Sequence, residues 1–201
     1  MEKNNEVLEE KNHPLTSCAT ISKEEQLPIN RSSILIKIEE KLIFIIDIIG
    51  RVISWVLLLM ILNVFFDVLM RYLFHNSSVG MQELEWHLFS VVILFGMGYA
   101  LKEGAHVRVD FLYDNFSSKT KAYVNIFGTL LFLIPLAILI TYGSYEFVYD
   151  AYIMDEISED PGGLTHRWLI KAMIPLGFIF LIFSGIVYIL KNIIILKESK
   201  I

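Results

Sequence analysis

The stretch AYVNIFGTLLFLIPLAILITYGSY, residues 122–145, contains no Asp, Glu, Lys or Arg. Three further stretches carry few or none of these residues, and they lie at 42–66, 86–101 and 172–190. A helix crosses the hydrocarbon core of a bilayer with roughly 20 mostly apolar residues. Each of the four stretches approaches or exceeds that length once its interfacial ends are included.

The composition indicates a membrane protein. The chain has 201 residues, of which 55% are hydrophobic and 19% charged, and the charges are concentrated in a few patches. Four such helices in a chain of this size leave too little polar surface to cover them in water. We therefore predict an all-α integral membrane protein with short interfacial helical segments and four transmembrane helices at about 42–66, 84–104, 122–146 and 168–190.

The flanking basic residues predict the orientation. They are most frequent at the two ends of the membrane domain and in the 102–121 connection, at Arg31, Lys37, Lys41, Lys102, Arg108, Lys119, Lys121, Lys191, Lys197 and Lys200. The other two connections carry one each, Arg71 and Arg167. Because cytoplasmic loops are enriched in Lys and Arg, both termini are predicted to be cytoplasmic. The domain order is then a disordered polar tail (1–33), a four-helix membrane domain (34–195) and a short cytoplasmic tail (196–201).

Several functional classes are disfavoured by the residue content. The formal net charge is −5 and the basic residues are scattered, so no nucleic-acid partner is expected. Cys18 is the single cysteine, and no nucleophile or carboxylate pair lies beside a base, so we predict no enzyme activity and no metal site. A haem-binding anchor needs two histidines on facing helices, and of the five histidines only His87 enters an apolar run.

Charged residues near the predicted cytoplasmic boundary form a candidate inner rim. Asp47 and Arg51 are four residues apart, which favours an ion pair along one helix. The segment LKEGAHVRVDF (101–111) places His106, Arg108 and Asp110 at the cytoplasmic mouth between helices 2 and 3. It is too short to be a lone strand, and we predict that it lies along the interface or against protein.

A second polar cluster is predicted at the outer boundary. Asp67 and Arg71 are spaced for a helical ion pair, as are Glu83 and His87, and Glu85 lies close by. One interpretation is a proton or cation relay. The favoured one is a polar network that fixes the first helical hairpin, in which Arg71 meets Glu83 or Glu85, because a relay must continue inward.

Two other features are candidates for contacts with partners. Gly96, Ala100 and Gly104 form a stripe of small residues that would let another helix approach closely. The third connection is acidic, and its central carboxylates are Asp155, Glu156, Glu159 and Asp160. This connection is either a solvated loop or a surface that steers a basic soluble protein. Pro135 predicts a kink in the third helix.

Five separated motifs resemble one transporter family. They are MRYLF (70–74), QELEWHLF (82–89), GYALKEGAHVRVDFLYDNFS (98–117), EIS (156–158) and GGLTHRWLIKAMIPLGF (162–178). In this order and on four spans, they resemble the small membrane subunit of tripartite ATP-independent periplasmic (TRAP) transporters. The resemblance extends over about residues 38–195.

This resemblance implies a set of partners and a role. In such transporters a large multi-spanning permease subunit holds the substrate and sodium sites, and a periplasmic binding protein delivers an organic acid of the C4-dicarboxylate, keto acid or sugar acid type. The small subunit would then be a scaffold for the large subunit, and it would widen the fixed domain against which the elevator domain moves. It would lie in the lipid bilayer of the bacterial inner membrane. It would bind no cofactor or substrate itself. The inner-rim and outer-rim residues would hold it to its partner or to lipid headgroups.

Two alternatives come from other classes of protein. An autonomous four-helix transporter would need a carboxylate at mid-depth, and a haem or redox anchor subunit would need paired histidine ligands.

Overall fold

The regular structure of the described residues is helical. The computed structural model describes residues 34–104 and 116–198. Its helices are α1 (Ile34–Leu73), α2 (Val79–Lys102), α3 (Ser118–Gly128), α4 (Ile134–Ile153) and α5 (Trp168–Glu198), and a π-helical turn (Thr129–Leu133) joins α3 to α4.

Four helical stretches are long and apolar enough to cross a membrane, and they are Lys37–Leu73, Val79–Lys102, Ser118–Ile153 and Trp168–Lys197. The predicted four-span, all-α membrane architecture is confirmed.

The helices extend beyond the uncharged stretches that predicted them. Helix α1 has 40 residues, which at 1.5 Å per residue is about 60 Å, twice the thickness of a bilayer core. Asp47 and Asp67 lie on α1 twenty residues apart, a rise of about 30 Å that matches the core itself. We use these residues to name the two ends of the bundle, the Asp47 end and the Asp67 end.

Helix α5 occupies the centre of the bundle. It packs against α1, α2, α3 and α4, whereas α1 packs mainly on α2. One buried cluster joins α2, α4 and α5 through Leu101, Ala137, Leu181 and Tyr188. A second joins α1 to α5 through Ile46, Phe180 and Val187. The edge helices α1 and α4 therefore keep broad apolar faces exposed.

Glycines permit the closest contacts between helices. A Cβ atom built on Gly98 would lie 2.6 Å from Cδ1 of Phe180 and 3.1 Å from Oγ of Ser184. A Cβ atom on Gly50 would collide with the ring of Tyr99. Because lipid tails are as apolar as these side chains, such close packing is a main source of cohesion between membrane helices.

The irregularity at Pro135 is a π-helical turn. Pro135 has no backbone N–H, and its ring interferes with the carbonyl group four residues earlier. The five residues before Ile134 adopt π geometry, in which the backbone N–H of Ile134 bonds to the carbonyl oxygen of Thr129. Gly185 of α5 lies against this turn, since a Cβ atom there would be 3.2 Å from Leu133.

The glycine contacts predict a difference between two substitutions on α2. Gly98→Ala should destabilise the bundle by about 1–3 kcal/mol, because the new methyl group overlaps Phe180. Gly96→Ala is the matched control, since a Cβ atom there meets nothing within 4 Å. It should leave stability unchanged or raise it by at most about 1 kcal/mol. Thermal unfolding of the purified chain in detergent measures both, and equal midpoints for the two variants would contradict the packing described.

Candidate functional site

An ion pair between helices anchors the Asp47 end. Nζ of Lys102, the last residue of α2, lies 2.5 Å from Oδ1 of Asp47 and 2.7 Å from Oε1 of Glu103. The same ammonium group is 5.3 Å from the centre of the Tyr99 ring. The lysine side chain is 18% exposed and that of Asp47 is 35% exposed. The pair therefore ties α1 to α2 at a partly buried position.

The prediction that Asp47 pairs with Arg51 is wrong, because Asp47 pairs with Lys102. Asp47 turns toward α2, because the contact of Gly50 with Tyr99 brings the two helices close enough for Lys102 to reach it. Arg51, one turn further along α1, is exposed and forms no ion pair within residues 34–104 and 116–198.

A second polar contact at the Asp47 end was missed by sequence reasoning. Nδ2 of Asn125 on α3 donates to Oδ1 of Asn192 on α5 over 3.0 Å. Asn192 is 3% exposed and donates in turn to the carbonyl oxygen of Tyr188. A lone amide within an apolar helix is a common signal of a hydrogen bond between helices, and Asn192 carries that signal.

The rest of the predicted inner rim, His106, Arg108 and Asp110, lies outside the described residues. The role assigned to these three residues remains a prediction.

At the Asp67 end, the predicted pair within α1 is confirmed. Arg71 donates to the carboxylate of Asp67, one turn earlier. Asp67 is 3% exposed and Arg71 47% exposed. The suggested contact of Arg71 with Glu83 or Glu85 is not formed, and Arg71 pairs with Asp67 alone among the described residues.

Glu83 holds the acidic loop, which we define as residues 154–167. Ser158 donates its hydroxyl proton to one carboxylate oxygen of Glu83, and the backbone N–H of Leu164 donates to the other over 2.5 Å. A Cβ atom on Gly163 would lie 2.7 Å from that carboxylate, so the position suits glycine. One side chain on α2 thus holds two separate positions of the loop, Ser158 and Leu164.

The acidic loop is also closed on itself and fastened to α5. The backbone N–H of Arg167 donates to the carbonyl oxygen of Glu156 over 3.0 Å. Lys171 of α5 forms an ion pair with the carboxylate of Glu156, while Nε of Arg167 lies 4.0 Å from it. Nζ of Lys171 is also 4.0 Å from the centre of the Phe147 ring. Lys171 was not predicted as a partner for this loop, because it lies fifteen residues from Glu156 inside an otherwise apolar span.

The four predicted loop carboxylates therefore have different surroundings. Glu156 is half-buried in its ion pairs, whereas Asp155, Glu159 and Asp160 are exposed.

Glu83 and His87, which are spaced for a helical ion pair, make a different contact. Nδ1 of His87 contacts the backbone carbonyl oxygen of Glu83 at 2.5 Å.

Glu85 is partly buried on α2. Its Oε1 atom is buried without a hydrogen-bond partner among the described residues.

Of the predicted stripe of small residues, Gly96 and Ala100 lie in α2 and Gly104 does not. Gly104 lies beyond the end of α2 with a φ of 69°, and its N–H bonds to the carbonyl oxygen of Leu101. It ends the helix, since glycine adopts this left-handed conformation without strain. A Cβ atom built on Gly96 would meet nothing within 4 Å. Gly98, which was not part of the predicted stripe, makes a close contact with α5.

Taken together, these contacts join helices at the two ends of the bundle. Within the described residues, no group of three or more His, Cys, Asp and Glu side chains is arranged to hold a metal ion. The contacts at the site fasten α1 to α2, and they fasten the acidic loop to α2 and α5.

Comparisons with known proteins give one family. A family model described as "Tripartite ATP-independent periplasmic transporters, DctQ component" matches residues 60–194. The chain is also 28% identical over 120 residues to "Sialic acid TRAP transporter permease protein SiaT" of Haemophilus influenzae (strain 86-028NP). The aligned part is 60% of this chain and 19% of that protein, so the chain spans about a fifth of the length of the curated relative it matches.

The geometry predicts that Glu83 holds the acidic loop in its folded conformation. Glu83→Ala leaves the Leu164 N–H and the Ser158 hydroxyl without their acceptor, which costs about 1–3 kcal/mol. Local opening should then speed tryptic cleavage after Arg167 by about tenfold. The control is Glu159→Ala, an exposed carboxylate of the same loop, which should leave the rate unchanged. Mass spectrometry of the fragments gives both rates, and equal rates would show that Glu83 does not hold the loop.

Proposed function

Because the chain belongs to the DctQ component family of TRAP transporters, in which it is a small membrane subunit, we propose that it acts as a scaffold for a large permease subunit. In this proposal the large subunit carries out sodium-coupled transport by an elevator motion. The small subunit widens the fixed part of the transporter in the membrane, and the cargo passes through the large subunit alone.

The observation that carries this proposal is the placement of the ion pairs. Asp47–Lys102 and Asp67–Arg71 lie at levels of α1 about 30 Å apart, near the two boundaries of a bilayer core. A coupling ion or a charged substrate is usually bound near the midplane, where ionisable residues face a pathway. In the described spans, Asp47–Lys102 instead joins α1 to α2, and Asp67–Arg71 pairs two charges within α1.

The proposed cargo is an organic acid of the C4-dicarboxylate, keto acid or sugar acid type. The relative from Haemophilus influenzae is described as a sialic acid TRAP transporter permease, and its name supports a carboxylate-bearing cargo for this chain's complex. We propose that a soluble binding protein delivers this cargo and that the large subunit selects it.

We propose a bacterial inner-membrane location with the Asp47 end in the cytoplasm. The predicted orientation follows from the Lys and Arg residues at that end. The acidic loop would then face the periplasm, where Asp155, Glu159 and Asp160 are exposed. Exposed negative charges attract a partner that carries basic residues during diffusional encounter. We propose that the binding protein docks on this loop in that way.

The rim residues would support assembly in two ways. Asp47, Asp67, Arg71 and Glu83 are engaged within the chain, so they would shape the surface that the partner contacts. The inner-rim residues His106, Arg108 and Asp110 would contact the large subunit or lipid headgroups directly.

Co-purification of the large subunit tests the scaffold role. The chain is expressed with the large permease subunit and the binding protein of its own organism, and is recovered by an affinity tag. We expect the wild-type chain to retain the large subunit, and the combined variant His106→Ala, Arg108→Ala, Asp110→Asn to retain several-fold less, because charged contacts at the rim are lost. Glu159→Gln is a control with one charge removed elsewhere.

Uptake of candidate organic acids by the same cells gives the functional measurement. It should require all three proteins and fall in parallel with retention of the large subunit. A wild-type chain that never retains the large subunit, or uptake that is unchanged without this chain, would contradict the scaffold role.

A further inference from the structure

The polar side chains of α1 between the two boundary residues fall into two groups. In the stretch from Asp47 to Asp67 they are Arg51, Ser54, Trp55 and Asn63. Ser54 donates to the carbonyl oxygen of Gly50 over 3.0 Å, and Asn63 donates to that of Met81 over 3.1 Å. Arg51 and Trp55 have no hydrogen bond or ion pair with any residue in 34–104 or 116–198.

Arg51 and Trp55 share one face of α1. They are four residues apart and therefore adjacent along the helix surface. The opposite side of α1 is the one that packs in the bundle, where Ile46 is fully buried and Gly50 meets Tyr99. We call the outward side the Arg51 face, and it comprises Phe44, Ile48, Arg51, Trp55, Leu58 and Leu62.

The depth of Trp55 argues against a purely lipid surrounding. It lies eight residues from Asp47, which is about 12 Å into a core of about 30 Å. Its side chain is 68% exposed. Tryptophan favours the interfacial belt, where its N–H can be hydrated. At that depth the indole N–H of Trp55 lies inside the belt, where an acceptor on a neighbouring protein helix would satisfy it.

Arg51 adds a charge to the same face. It lies one turn, about 6 Å, inside the level of Asp47. Ionised residues within a membrane span face protein or a water-filled cavity and pair with an opposite charge. Asp47 is already occupied by Lys102. A carboxylate supplied by another membrane helix at this level would complete the pair.

From this arrangement we infer that the Arg51 face is the docking surface for a membrane helix of the large permease subunit. That helix carries a carboxylate opposite Arg51 and a hydrogen-bond acceptor opposite the indole N–H of Trp55. The inference rests on the proposed function and specifies which edge of the bundle performs it. The other edge, α4, then faces lipid with residues such as Leu139 and Tyr142, which are 69% and 84% exposed.

Site-specific photo-cross-linking distinguishes the two edges. A benzophenone amino acid replaces Trp55 or, in the matched control, Tyr142, in the chain co-expressed with the large subunit. We expect a cross-link from position 55 to the large subunit and none from position 142. A cross-link to the large subunit from position 142 alone would overturn the assignment. So would labelling from position 55 that reaches only lipid or a second copy of this chain.

Retention of the large subunit gives a second, independent readout. Arg51→Leu and Trp55→Leu should each weaken retention about tenfold, since buried Arg and Trp side chains dominate many interfaces. Arg51→Lys should retain more than Arg51→Leu, because it keeps the charge, and Tyr142→Leu should match the wild type. Size-exclusion profiles of the isolated variants check that each one folds.

These outcomes separate the inference from the proposed function. If the wild-type chain retains the large subunit while the Arg51 and Trp55 variants retain it equally well, the scaffold role stands and the Arg51 face is wrong. If the wild-type chain retains nothing, both fail.

Discussion

The structure depends on one constraint, that an ionised group cannot remain unpaired in hydrocarbon. Asp47 and Lys102 satisfy it at one end of the bundle, and Asp67 and Arg71 at the other. The 30 Å between these levels along α1 is about the thickness of a bilayer core. Both pairs place their charges near an end of the bundle, and Asp47–Lys102 also fastens α1 to α2.

Cohesion between the two charged levels comes from close packing. Helix α5 contacts every other described helix, and Gly98 lets it approach α2 until Phe180 lies against the backbone. Hydrophobic burial contributes little to association within lipid, so these contacts act through van der Waals attraction and shape. The arrangement leaves the edge helices α1 and α4 with large exposed apolar faces, which are suited to contact lipid or other membrane helices.

Sequence reasoning succeeded where the physics is local. Uncharged stretches identified the four spans, and a spacing of four residues identified the Asp67–Arg71 pair. It failed for Asp47, because the choice between Arg51 and Lys102 depends on how closely α1 approaches α2. The hydrogen bonds of Glu83 with Ser158 and Leu164 join residues far apart in sequence. No spacing pattern in the sequence predicts such bonds. Gly104 was assigned to a packing stripe, but its backbone conformation ends α2.

The central claim is that this chain supports transport without conducting cargo, and reconstitution tests it most directly. The purified chain alone is placed in liposomes with an inward sodium gradient, and accumulation of radiolabelled C4-dicarboxylates, keto acids and sugar acids is measured. The account predicts no accumulation above that of protein-free liposomes. Saturable, sodium-driven accumulation by this chain alone would contradict it.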